Sequence, residues 1–196
     1  MTDVIIVHSQ IGNAQNHWYQ WLKHNLALEG YNVQLFNLDK ADNKKLDMWL
    51  KTMKQQIKIN HPDTYVVTHG YGSIAALKFI EQLDLKRPIE GFFSIAGFKE
   101  DAQDIDESVN LDHITIDYDE VKKKVKHFHG LASKDDEHVS YKETEKLLQA
   151  LGGSIRIVEE GGHFLEEEGF VSFSELQEKM QKYMTQRSEE HTSELQ

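Results

Sequence analysis

Short apolar runs rich in β-branched residues alternate with amphipathic helical stretches along almost the whole chain, and that alternation limits the fold more than any other feature. Residues 4–7 (Val-Ile-Ile-Val) form a continuous apolar run, as a strand buried on both faces requires. Residues 33–36, 64–68, 91–96, 125–131 and 154–158 read as five further strands. Between them, Trp18, Trp21, Leu22 and Leu26 fall at helical spacing within 16–29, and Leu46, Trp49, Leu50, Met53 and Ile57 mark a second helix. Residues 73–83, 141–151 and 171–184 give three more. Six strands separated mostly by helices imply one α/β domain, a six-stranded and mostly parallel sheet with helices on both faces. In such sheets the functional site lies at the carboxyl ends of the strands.

Length fits this reading, since 196 residues suit a single core. The chain has no cysteine, which excludes disulfides, zinc–thiolate sites and a cysteine nucleophile together. A net charge of −11 argues against nucleic acid as a partner, because phosphate binding needs a basic face. The dense run Lys122, Lys123, Lys124 and Lys126 reads as a solvated helix end. No targeting or membrane-spanning stretch stands out, so the expected location is cytoplasmic, with no membrane partner.

The last ten residues, 187–196 (RSEEHTSELQ), show no helical or strand periodicity and resemble the in-frame translation of a sequencing-adapter oligonucleotide. They are read as an artefactual, disordered tail outside a domain of residues 1–186, and their removal is expected to leave folding unchanged. Residues 99–116 also break the rhythm. That acidic stretch follows a strand end and reads either as a short cap over the site or as a plain surface loop.

Thr68-His69-Gly70-Tyr71-Gly72 lies between an apolar strand and a helix. A hydrolase nucleophile elbow reads small-x-Ser-x-Gly in that setting, and here Gly70 takes the central place. After the fifth strand comes Ser133-Lys134-Asp135-Asp136-Glu137-His138-Val139, where a triad carboxylate belongs. Asp136 has a valine three residues on, and Asp135 is its adjacent competitor. After the sixth strand, His163 sits on a glycine-flanked loop, the place of a general base. The order elbow, acid, histidine is that of a hydrolase.

With these segments in view, the chain resembles the small serine hydrolases typified by retinoblastoma-binding protein nine and the YdeN-like bacterial proteins. The resemblance is strongest in Asn16-His17-Trp18, Trp21-Leu22-Lys23, Ser133-Lys134-Asp135-Asp136 and Gly162-His163-Phe164-Leu165-Glu166. It implies an α/β-hydrolase fold, a carboxylic-ester hydrolase chemistry without cofactor or metal, and a Ser-His-Asp triad. Carried over by position, Asp136 is the acid, His163 the base, and Gly70 stands where the serine would be. The oxyanion and binding positions fall on Ser9, Gln10 and Tyr71.

Glycine supplies no nucleophile, so the expected activity toward small esters is weak or lost. The alternative is a non-catalytic module that binds a small acyl or ester-like ligand. Ser9, Ser73 and Tyr71 are the nearest hydroxyls that could substitute. A further alternative is a metal site from His8, His69, His163 and Asp136, although no H-E-x-x-H helix is present. Lacking cysteine, the chain cannot hold a Leu-x-Cys-x-Glu motif, so a retinoblastoma-protein partner does not carry over.

Overall fold

In the computed structural model, residues 1–39, 45–107 and 109–194 are described. The apolar runs form β1 (Asp3–Val7), β2 (Asn32–Phe36), β3 (Thr64–His69), β4 (Ile89–Ile95), β5 (Val125–Ser133) and β6 (Ser154–Val158). They make one sheet in the order β2-β1-β3-β4-β5-β6, with every neighbouring pair parallel. The helices are α1 (Tyr19–Leu28), α2 (Leu46–Gln56), α3 (Gly72–Gln82), α4 (Tyr118–Lys124), α5 (Tyr141–Leu151) and α6 (Ser174–Glu194).

The period-2 geometry of the strands divides the core into two layers. Ile5, Val7, Val66, Phe92 and Phe128 face α2, α3, α4 and α5. Val4, Ile6, Val67, Phe93 and Ile95 face α1 and α6. Both faces are therefore covered over the central strands β1, β3 and β4, which are buried at every position, while the edge strands β2 and β6 alternate and are only partly buried. Among the described residues no helix is long and apolar enough to cross a membrane.

Two elements depart from expectation. Lys122, Lys123 and Lys124 form the expected helix end, the last turn of α4, whose body the periodicity does not announce, whereas Lys126 lies on β5 beside the buried Glu90. Asp117 caps α4 by accepting the Glu120 N–H at 3.0 Å, and Val121 buries its single apolar anchor. The second departure concerns the terminus. Instead of ending near 184 and giving way to disorder, α6 continues to Glu194. Residues 185–194 contain no helix breaker, and the Arg187 guanidinium donates to the buried Glu90 carboxylate at 3.1 and 3.2 Å. Lys126 donates to the same carboxylate at 2.6 Å. From Ser188 to Glu194 the helix is exposed, so past Arg187 it adds nothing to the core; Leu195 and Gln196 lie outside the described residues.

Candidate active site

The β3–α3 turn builds the centre of the site. Gly70 has φ +54°, a left-handed conformation that costs a non-glycine residue about 1–3 kcal/mol. Its N–H donates to Ile95 O at 2.9 Å, which fixes the turn against the end of β4. Gly72 is required for a different reason. A Cβ there would stand 2.3 Å from His8 O and 3.0 Å from Val7 O, so the end of β1 approaches the start of α3 too closely for any side chain.

Between the two acid candidates, hydrogen bonding decides the geometry. His163 Nδ1–H donates to Asp136 Oδ2 at 2.8 Å, and both side chains are buried. The other Asp136 oxygen accepts the N–H groups of His138 and Val139 at 2.8 and 2.9 Å. The residue three positions on thus aims the carboxylate through its backbone N–H, while the Val139 side chain is buried in the core. Asp135 instead accepts from the N–H groups of Gly162 and Gly161 at 2.8 and 3.0 Å and from Ser133 Oγ at 2.8 Å. The Gly162 bond, followed by the Ser133 hydroxyl, holds the Asp135 carboxyl below its ordinary range. It ties the histidine loop to the acid loop.

His163 Nε2 is buried, and no group among the described residues hydrogen-bonds to it. A Cβ placed on Gly70 would stand 3.1 Å from that nitrogen, so the imidazole faces position 70 at close range. The same Cβ would stand 2.5 Å from Gln10 Oε1. Gln10, on the loop after β1, accepts the Tyr71 N–H at 2.9 Å. Ser9 and Ser73, weighed above as substitute hydroxyls, point elsewhere. Ser9 Oγ pairs with the backbone of Ile11, and Ser73 Oγ lies between Thr68 Oγ1 and Ser94 Oγ. The Tyr71 ring packs edge-on against Trp49, and its buried hydroxyl has no hydrogen-bond partner among the described residues.

The metal alternative is not assembled by this geometry. His8 Nδ1–H donates to Ser9 O and its Nε2 accepts the Leu38 N–H, so neither nitrogen is available; burial lowers its pKa to about 4. His69 is likewise taken at both ends. Its Nε2–H donates to His163 O at 2.6 Å, and its Nδ1 accepts the Tyr19 hydroxyl at 2.7 Å. Burial, then the neighbouring His163, pushes its pKa well down, so it is a neutral brace. The Tyr19 oxygen in turn accepts the Ser9 N–H at 2.9 Å. This relay links the loop after β1 to the backbone of His163.

Tyr19, Glu166 and His138 are the contributors that sequence reasoning missed. The Glu166 carboxylate accepts from the His17 N–H at 3.1 Å and from Asn16 Nδ2 at 3.0 Å. His138 bonds Asp106 at 2.6 Å, and its ring lies 5.4 Å from that of His163. Around it, Ile105 pairs with Val139 in an antiparallel bridge, and Ser140 N–H donates to Asp104 O at 3.0 Å. The segment 99–116 is thus strapped along the acid loop rather than loose, with Ser108 outside the described residues. The signal for Glu166 was present: it closes one of the resembling segments, and His17 lies in another.

The Serine hydrolase family profile matches residues 4–182. YdeN of Bacillus subtilis (strain 168), a proposed hydrolase, is 31% identical over 188 residues, covering 94% of this chain and 97% of that one. Serine hydrolase RBBP9 of Rattus norvegicus is 21% identical over 164 residues, covering 82% of this chain and 86% of its own. The crystal structure of the B. subtilis ydeN product superposes with a TM-score of 0.85 at 29% identity, covering 94% of this chain and 100% of that one. The match spans both layers of the core and the three loops of the site, and the chain belongs to the serine hydrolase family.

Proposed function

We propose that this is a serine-hydrolase-family protein of the carboxylic-ester type whose nucleophile position is occupied by Gly70, so that ester turnover is weak or lost. One observation carries the reading. The buried His163 Nε2, unpartnered among the described residues, faces the place where a side chain at residue 70 would begin, 3.1 Å from its Cβ. In an intact site a serine oxygen there would attack the ester carbonyl, His163 would take its proton, and Asp136 would hold the ring in the required tautomer. The Tyr71 N–H, following the nucleophile position, is placed to receive the oxyanion. Glycine removes the attacking atom, and removal of a serine nucleophile costs about a millionfold in turnover in a model protease.

The test is Gly70→Ser. The variant should be labelled by a fluorophosphonate probe and should hydrolyse p-nitrophenyl acetate above a Gly70→Ser/His163→Ala control. A folded Gly70→Ser protein that does neither overturns the reading. The second reading, a non-catalytic module for a small acyl or ester-like ligand, is favoured by the carbonyl already resting on the Tyr71 N–H, that of Gln10.

A further inference from the structure

Gln10 is half-buried at the rim of the site, on the loop that follows β1. Its planar carboxamide reaches inward, with Oε1 on the Tyr71 N–H at 2.9 Å and only 2.5 Å from where a Cβ of residue 70 would lie. It therefore fills space that only glycine leaves open. The fit is incomplete, because among the described residues the buried Gln10 Nε2 donor has no partner, and neither has the His163 Nε2 acceptor. Buried polar atoms left unpaired cost free energy, so this occupant satisfies the seat poorly.

A better occupant needs a carbonyl oxygen for the Tyr71 N–H and, on the same carbon, a group that can donate to His163 Nε2. An ester has no such donor, and a carboxamide has only a weakly acidic N–H. A carboxylic acid supplies both, and its proton can move to the imidazole to give a charge-assisted pair. We propose that the Gln10 carboxamide is a built-in occupant of an acyl seat, and that on its withdrawal the seat binds a short-chain free carboxylic acid non-covalently. The carbonyl oxygen then rests on Tyr71 N–H and the acid hydroxyl on His163 Nε2, above Gly70. This rests on the reading of residue 70 given above.

The experiment is an amide and imidazole NMR titration of the full chain with butyrate, butyramide and methyl butyrate. Butyrate should shift the Tyr71 amide and His163 ring signals saturably. Gln10→Ala should tighten binding by about tenfold, because the closed, occupied state no longer taxes it. Adding His163→Ala to that variant should abolish the tightening. Should Gln10→Ala not fold, Gln10→Gly takes its place. No saturable shift in a folded Gln10 variant overturns the proposal, and so does methyl butyrate or butyramide binding as well as butyrate. If butyrate fails while Gly70→Ser is labelled by the probe, this inference falls alone. Saturable binding of butyrate with Gly70→Ser unlabelled leaves the seat standing and removes the hydrolase reading.

Discussion

His17 and Glu166 hold each other across almost the whole chain: the Glu166 N–H donates to His17 Nδ1 at 2.9 Å, and the His17 N–H donates back to the Glu166 carboxylate at 3.1 Å. Asn16 adds a bond to the same carboxylate, so the loop after β1 is buckled to the loop that carries His163. The His17 bond first, then that of Asn16, holds the Glu166 carboxyl below its ordinary value of 4.5. A carboxyl with a depressed folded pKa stabilises the fold above its unfolded value, and the contribution fades as pH falls through the folded one. Glu166→Ala should lower the melting temperature by about 2–4 °C at neutral pH. The difference from wild type should narrow below pH 4.5. A gap that widens on acidification would show the carboxylate is not the source.

The two elbow glycines should respond differently to alanine. At Gly72 the new Cβ would meet backbone oxygens of His8 and Val7, which cannot move aside without breaking β1. Gly72→Ala should cost upwards of about 3 kcal/mol. At Gly70 the worst contact is the end of the Gln10 side chain, which can turn away. Gly70→Ala should cost about 1–3 kcal/mol, mostly for its positive φ. Urea unfolding of the pair checks the order, and equal losses would contradict the geometry.

Tyr19→Phe tests the relay behind the histidine loop. The hydroxyl lies between two buried groups, the Ser9 N–H and His69 Nδ1, and its removal leaves both unpaired. A loss of about 2 kcal/mol or more is expected from chemical denaturation. The His69 ring keeps its Nε2–H on His163 O, so the tautomer should hold while the Nδ1 nitrogen shift moves on loss of its donor. A variant as stable as wild type would mean the relay is incidental.

Truncation separates the helical terminus into two parts. Ending the chain after Arg187 should be silent, since Ser188 to Glu194 are exposed. Arg187→Ala should cost about 1–2 kcal/mol, because Glu90 then keeps the Lys126 ammonium and, at 3.6 Å, the exposed His191 ring, which is a cation only when protonated. Burial alone would raise the Glu90 carboxyl, but the bonds from Lys126 and Arg187 more than offset it and hold it low. The Arg187→Ala deficit should therefore be full at neutral pH and shrink as Glu90 becomes protonated. A fold indifferent to Arg187 but sensitive to loss of 188–194 would reverse this assignment.

The central strands were readable because burial on both faces leaves runs such as residues 4–7, and the edge strands because β2 and β6 alternate; the ends fall within a residue or two of expectation. α4 was not, because seven residues with one apolar anchor carry no period; its cap at Asp117 does the work that periodicity would otherwise signal. The extension of α6 was hidden for a related reason, since Arg187 is held by Glu90 on β4, a partner 97 residues away. At the site, the meeting of Asp136 and His163 could be expected from their loops after β5 and β6. Gln10 could be named as a neighbour of residue 70, but not as the acceptor of the Tyr71 N–H. Where a flexible side chain comes to rest depends on the volume left by residues distant in sequence.

β1 and β3 pair in register, Val7 opposite Thr68, so the loops that leave them emerge side by side and positions 10 and 70 share one volume. That sharing couples the two positions: any side chain at 70 needs the Gln10 carboxamide to turn aside, and a smaller residue at 10 opens the volume in which a side chain at 70 would stand. The effects of substitutions at 10 and 70 should therefore not add, and each is to be read in the presence of the other.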